Sequence, residues 1–249
     1  MIRIIQITDT HIGNEGELVR GVDVRANFLK TLRAIGKEKM DCLIHSGDLC
    51  AIEGKQETYQ WIKEQIYNVL GGAPFYVIPG NHDDPTMMAQ IFGLQEALTG
   101  TEMYYKVDQP LKLIFLDTSQ GSTSEIQKQW FNLQINEHPD NCPIIFMHHP
   151  PIPCGVPYLD QNYALSNGDE LMNILYRIKN KSFTIFCGHY HVEKTISDHN
   201  VNVFITPSTF FQMDQDASEF KVDHYRCGYR IIEMDSNGKL YTTVRYLDF

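Results

Sequence analysis

Five times in the 249 residues a short apolar run ends in a cluster of histidine, aspartate or asparagine, and no other feature restricts the fold as tightly. Ile2 to Thr8 leads to Asp9 and His11, Cys42 to Ser46 to Gly47 and Asp48, and Phe75 to Pro79 to Gly80, Asn81 and His82. Pro143 to Met147 leads to His148 and His149, and Phe183 to Cys187 to Gly188, His189 and His191. Each run is short, rich in β-branched and aromatic residues and bounded by turn formers, which reads as a buried strand. The chemistry-bearing side chains therefore collect at C-terminal strand ends, the edge where open α/β sheets build their sites.

Between the runs lie helical spacings. Val24 to Lys37 places Phe28, Leu32 and Ile35 on one face, and Thr58 to Leu70 does the same with Trp61, Ile62, Ile66 and Val69. Glu125 to Ile135 and Asp169 to Ile178 have the same pattern. Near the end VNVFITPS, YRIIEMD and LYTTVRYLD read as strands, the last two joined by an Asn237-Gly238 hairpin turn. This is an α/β chain of mixed type, with sheets and outer helices. No repeat, low-complexity run or linker divides it, so residues 1–249 are expected to form one domain.

Residues two apart on an extended segment face the same way, so Asp9 with His11, and His189 with His191, can each grip one centre. Asp48, Asn81 and His148 bring the set to four imidazoles, two carboxylates and one amide. That is too many ligands for one tetrahedral zinc and too rich in nitrogen for calcium or magnesium. It suits two metal ions such as Fe, Mn, Zn or Co sharing a carboxylate. Two cations ~3.5–4 Å apart clamp both oxygens of an in-line phosphoryl displacement and acidify a shared water. The competing reading, five unrelated turns with polar tips, would bury each group without a partner.

In order, D-x-H, G-D, G-N-H-D, H-H-P and G-H-x-H resemble the calcineurin-like metallophosphoesterase superfamily, over Asp9 to His191. The resemblance implies a four-layer β-sandwich flanked by helices. It implies that Asp9, His11 and His191 hold one metal, that Asn81, His148 and His189 hold the other, and that Asp48 bridges. It also implies that His82 lies over the phosphate as the catalytic group, with Asn81, His82 and His191 contacting substrate.

A narrower resemblance lies outside these ligands. The start QITDTH with Gly21-Val22, the stretch HHPPIPCGVPYLDQNYALSNGDEL with Leu159, Asp160, Leu165 and Asn167, then Pro207-Ser208-Thr209 and Gly228-Tyr229-Arg230 are similar to bacterial class III cyclic nucleotide phosphodiesterases. Arg226-Cys227 stands where that family usually has proline before the glycine, a change to a turn and not to a ligand. The implied reaction is hydrolysis of 3′,5′-cyclic AMP to 5′-AMP. Phe210, Phe211, Tyr158 and Tyr163 are candidate pocket walls, each alone also explicable as packing.

Charge fits a small substrate. The formal charge of −10 and pI of 5.4 weigh against a long nucleic acid, which selects a basic face. No apolar run approaches the ~20 residues of a membrane helix, and no secretory leader is evident. Six scattered cysteines without C-x-x-C suggest reduced thiols and the cytoplasm. Cys50 and Cys154 lie near candidate ligands, where oxidation would bear on activity. The expected partner is a small phosphodiester, cyclic AMP, with no nucleic acid or membrane and with a homodimer left open. Glycerophosphodiesters or phosphomonoesters are the alternative substrates, a scaffold that lost catalysis is the non-enzymatic alternative, and a nuclease subunit is the third.

Other histidines have plainer readings. His149 should face away from His148 and support the site locally. His45 reads as a satisfied buried residue, and His138, His199 and His224 as solvated residues of polar loops. Asp83 and Asp84 offer either a partner for His82 or a helix cap. Gly47, Gly80 and Gly188 would let the chain turn sharply before each ligand.

Overall fold

The computed structural model describes residues 1–70, 72–137 and 142–248; His138 lies outside them. In chain order the first half contains β1 (Ile2–Ile7), α1 (Val24–Ile35), β2 (Cys42–Ser46), α2 (Gln56–Leu70), β3 (Phe75–Ile78) and α3 (Pro85–Phe92). Next come β4 (Leu98–Thr99), β5 (Glu102–Met103), β6 (Tyr105–Val107), β7 (Leu113–Phe115), α4 (Glu125–Asn136) and β8 (Ile144–Phe146). The second half holds α5 (Pro157–Asn162), α6 (Gly168–Tyr176), β9 (Phe183–Cys187), β10 (Lys194–Asp198) and β11 (Val201–Ile205). It closes with β12 (Gln212–Met213), β13 (Val222–His224), β14 (Gly228–Met234) and β15 (Leu240–Tyr246).

Two sheets face each other. One has the order β15-β14-β1-β2-β3, the other β10-β11-β9-β8-β7-β6. Within the first, β1, β2 and β3 run parallel, with Ile7 beside His45 and His45 beside Val77. Within the second, β7, β8, β9 and β11 run parallel, with Phe146 beside Phe186. Ile4, Ile44 and Ile78 from one sheet pack with Phe115, Phe146 and Phe186 from the other, forming the central apolar layer. The alternate residues of each strand point outward, as the period of two requires. Ile5, Leu43 and Val77 meet Phe28, Leu32, Ile62 and Ile66 of α1 and α2. Ile114, Ile145 and Ile185 meet Phe131 of α4 and Leu171 and Leu175 of α6. The result is the helix–sheet–sheet–helix sandwich.

Local signals account for the boundaries. The Asp23 carboxylate accepts the Ala26 N–H at 2.9 Å and starts α1, whose buried Phe28, Leu32 and Ile35 each contribute roughly 1.5–3 kcal/mol. The expected terminal hairpin is present: Gly238 has φ 78°, and the Asp235 carboxylate accepts the Asn237 and Lys239 N–H groups. α2 begins at Gln56, two residues before the predicted start, and the Gly168–Tyr176 helix stops short of Ile178. His199 is exposed as expected, whereas His224 ends a short strand instead of lying in a loop.

Candidate dinuclear metal centre

All five clusters converge at one edge of the sandwich, three from the first sheet and two from the second. Asp9, His11, Asp48, His189 and His191 have φ between 45° and 66°. This left-handed region costs a non-glycine residue about 1–2 kcal/mol, and such outliers concentrate at functional sites. Backbone ties hold them there: Asp9 N–H donates to Gly47 C=O (3.0 Å) and His11 N–H to Asp48 C=O (3.1 Å). The Ser208 hydroxyl donates to Asp9 C=O at 2.8 Å, which gives the Pro207-Ser208-Thr209 segment a structural role.

Glycine serves two separate purposes. Gly47 has φ 102°, which a side chain would strain, as expected. Gly80 and Gly188 do not need an unusual φ; they admit Asp48 and the Thr8–Asp9 pair, which a Cβ would strike. Here the sharp-turn expectation is corrected to one of close approach.

Carbonyl oxygens set the imidazole tautomers, because a carbonyl can only accept. His148 Nδ1–H donates to Ser46 C=O (2.8 Å), His189 Nε2–H to Tyr163 C=O (3.0 Å) and His191 Nδ1–H to Phe211 C=O (3.1 Å). Each ring then turns its other nitrogen toward the carboxylates. His148 Nε2 and His189 Nδ1 are buried with no hydrogen-bond partner. His191 Nε2 stands 3.3 Å from Asp9 Oδ1 and 3.0 Å from His11 Nε2. His148 Nε2 is 3.4 Å and His11 Nε2 3.6 Å from Asp48 Oδ2. Atoms bound ~2.0–2.2 Å from a common ion lie roughly 3–3.5 Å apart, so this spacing fits metal ions.

Three groups have ligand atoms mutually within 4.8 Å: Asp9, His11 and His191; Asp48, His148 and His189; and His11, Asp48 and His82. Asp48 and His11 each appear twice, so this pair joins the outer two groups, with Asp48 Oδ2 3.6 Å from His11 Nε2 and 3.4 Å from His148 Nε2. Asn81 lines the cleft beside them, exposed.

Electrostatics supports the same fit. Asp9 and Asp48 are 0% and 2% exposed, and their ion-pair partners are histidines. Burial raises Asp9, but His191 and His148 outweigh it and hold the carboxyl far below its usual range; Asp48 behaves likewise beside His148. Burial pushes His11 down to about 3 and His189 to about 4. His148 goes the other way: burial lowers it, but Asp48 and Asp9 raise it to about 9. Two buried carboxylates thus require a cation beside them, and without a metal a proton serves.

His82 sits at the mouth, its side chain 33% exposed. Its Nδ1–H donates to Ile52 C=O (3.0 Å), so Nε2 faces the centre, 3.9 Å from Asp48 Oδ2. Neither neighbouring aspartate orients it. Asp83 accepts N–H groups of Leu49, Cys50 and Gly80 and the Tyr59 hydroxyl, binding two loops together. Asp84 caps α3 through Met87 N–H at 2.8 Å.

His149 turns away as expected, bonded to Thr118 Oγ1 (2.9 Å), with its ring 4.0 Å from that of His189. His45 is only half satisfied: Nε2 meets Thr10 Oγ1 at 3.0 Å, while Nδ1 has no partner. Cys50 and Cys154 are buried; burial raises both thiols, Cys154 to about 12, which disfavours the reactive thiolate. Behind His148, Gln6, Ser46, Thr206 and Arg230 form a buried polar chain, from Gln6 Nε2–Ser46 Oγ (2.7 Å) to Arg230 Nε–Thr206 Oγ1 (2.9 Å).

Above the centre opens a cleft of 410 Å³ bordered by Tyr158, Tyr163, Phe210 and Phe211, the four aromatics expected as walls. Sequence reading missed Arg20 and Phe220 on the same rim, far apart in the chain and without a motif. It also missed the Ile52 and Tyr163 carbonyls, which carry no signature of residue type.

The fold and site define a class. A family model described as calcineurin-like phosphoesterase matches residues 2–193, and the chain belongs to that family. Among curated relatives, a probable cyclic nucleotide phosphodiesterase of Fibrobacter succinogenes is 35% identical, over 95% of this chain and 91% of its own. The 3′,5′-cyclic adenosine monophosphate phosphodiesterase CpdA of Escherichia coli K12 is 30% identical, over 99% and 90%. A probable glycerophosphodiester phosphodiesterase GpdQ of Arcobacter nitrofigilis is also 30% identical, over 86% and 80%. No helix among the described residues is long and apolar enough to cross a membrane.

Proposed function

We propose that this phosphoesterase hydrolyses 3′,5′-cyclic AMP to 5′-AMP. Asp9, His11 and His191 hold one metal ion; Asn81, His148 and His189 hold a second; Asp48 lies between them. The observation that carries this reading is the convergence of carbonyl-fixed imidazole nitrogens on two buried carboxylates beneath an aromatic cleft. The similarity to cyclic nucleotide phosphodiesterases over nearly the whole chain supports the substrate. Both sheets feed one site, in line with one domain over residues 1–249, and six unpaired cysteines suit the cytoplasm.

When bound, the ions polarise the phosphate and acidify a water. Water oxygen joins phosphorus, the P–O3′ bond breaks, and O3′ takes a proton. His82 is placed for that transfer. Ile52 C=O occupies Nδ1–H, so only Nε2 can deliver a proton, and it can do so only from the imidazolium. Asp48 Oδ2 lies 3.9 Å from that nitrogen. Asn81 and His191 line the same cleft, where they would contact the substrate.

A glycerophosphodiester is the second reading, supported by the GpdQ relative. Protein stripped of metal, reloaded with Mn²⁺ and offered cyclic AMP, a glycerophosphodiester and bis(p-nitrophenyl) phosphate separates them. Competitive turnover of cyclic AMP is expected; cleavage of the other two alone would overturn the substrate assignment.

A further inference from the structure

Beside the metal centre the cleft carries aromatic surface that the chemistry at phosphorus does not use. Tyr163 is 49% and Phe220 40% exposed. Their rings belong to a connected series. Tyr163 stands 6.5 Å from His189 and 5.7 Å from Tyr158, Tyr158 stands 6.2 Å from Phe220, and the Arg20 guanidinium lies 4.6 Å over the Phe220 ring. We propose that Tyr158, Tyr163 and Phe220, with Arg20 laid on Phe220, form a nucleobase subsite that selects nucleotides over base-free phosphodiesters. This deepens the cyclic nucleotide reading and rests on it.

The shelf is built and held. The Asp160 carboxylate accepts the N–H groups of Cys154 and Val156 at 2.9 Å and the Tyr190 hydroxyl at 3.0 Å, fixing the segment that carries Tyr158. Tyr163 is tied to the centre by its own carbonyl, which accepts His189 Nε2–H. Phe220 projects from a loop closed by Asp214 N–H to Lys221 C=O (2.9 Å) and by the Lys221–Asp214 ion pair (2.7 Å).

Arg20 supplies the independent sign. Val19 and Val22 exchange both backbone hydrogen bonds, and the two residues between them, Arg20 and Gly21, have φ 46° and 79°. That is a primed hairpin turn, whose first central position normally takes asparagine, aspartate or glycine. An arginine there is held in a strained conformation at the cleft rim, with its guanidinium on an aromatic face. Among the described residues lining the cleft it is the one arginine, and no lysine joins it. A site for a small polar leaving group would present hydrogen-bond donors and acceptors. This wall presents three aromatic rings and a flat cation, with the Tyr158 and Tyr163 hydroxyls turned to each other at 3.4 Å, a combination that suits a stacked heterocycle. Every base has such a face, so the shelf distinguishes nucleotide from base-free ester more than one base from another.

Binding isotherms of the Mn²⁺-loaded protein for 5′-AMP and for ribose 5-phosphate test this without requiring turnover. Wild type is expected to bind 5′-AMP at least about tenfold more tightly, and removing one stacking face costs roughly 5–150-fold. In Phe220→Ala and Tyr158→Ala the gap should shrink while ribose 5-phosphate binding holds; Arg20→Lys, which keeps charge but loses the flat cation, should lie between. Equal affinities in wild type, or equal loss of both ligands in the variants, would overturn the subsite. Cyclic AMP turnover by the same preparations reports separately on the reaction: tight 5′-AMP binding without turnover preserves the subsite and sinks the proposed activity.

Discussion

At the residue scale, the centre depends on contacts too close for any extra atom. Gly188→Ala would drive a methyl group into Thr8 and Asp9. Stability is expected to fall by about 1–3 kcal/mol, in the range of overpacked sites, and metal content to fall with it. Denaturant titration beside elemental analysis checks this; a variant that is both stable and fully metallated would contradict the packing argument. His82→Ala should behave differently. Its loss leaves the buried carboxylates and imidazoles intact, so metal content is expected to hold while kcat drops by about 10²–10⁴. Retention of full kcat would remove His82 from the reaction. The candidate ligands were legible because their chemistry resides in side-chain type, and the strands delivering them are marked by composition. What orients them was not legible: the carbonyls of Ser46, Ile52, Tyr163 and Phe211 belong to residues chosen for other reasons. Any residue type supplies that oxygen, and only the fold decides which one does.

At the scale of elements, strands that bear a motif were readable and those that merely complete a sheet were not. β7 has three residues and a polar end, Asp117-Thr118-Ser119, without a histidine, α5 has six and too little length to show a period, and β10 is a polar edge. α3 had its signal in Asp84 followed by Pro85, a cap and a first-turn proline, but its buried face of Pro85, Met88 and Ala89 spans too few turns to establish a period. A buried carboxylate just after β7 gives this region a titration of its own. Asp117 accepts Met103 N–H (2.7 Å) and Ser119 N–H (2.8 Å), yet burial prevails and raises its carboxyl from 3.8 to about 6. The native state therefore keeps this proton between pH ~4 and ~6, where the unfolded chain has released it. Stability from this group falls as pH rises through that window, by on the order of 3 kcal/mol, and is flat above it. Asp117→Asn, whatever its absolute stability, should lose that slope in denaturant titrations from pH 4 to 7; an unchanged slope would assign it to other groups.

For the whole molecule, ions held at the proposed centre would fasten one sheet to the other. Asp9, His11, Asp48 and Asn81 follow strands of the first sheet and His148, His189 and His191 strands of the second, so an ion held between them would resist separation of the layers. Metal held at 1,000 times its dissociation constant adds about 4 kcal/mol, or roughly 8–16 °C in Tm for a chain of this size. Chelation followed by scanning calorimetry should recover that shift, and identical melting of stripped and reloaded protein would break the ligand assignment. The separation of the ligands along the chain also has a consequence for biosynthesis. His11 and His191 meet across 180 positions, and Asp48 meets His148 across 100. A nascent chain emerging at about 5–20 residues per second carries Asp9, His11 and Asp48 outside the ribosome well before either ion can be fully held. Neither candidate set closes until the GHYH segment follows, so metal loading at these sites would be a late step of maturation, open only to chains that have already brought their two halves together.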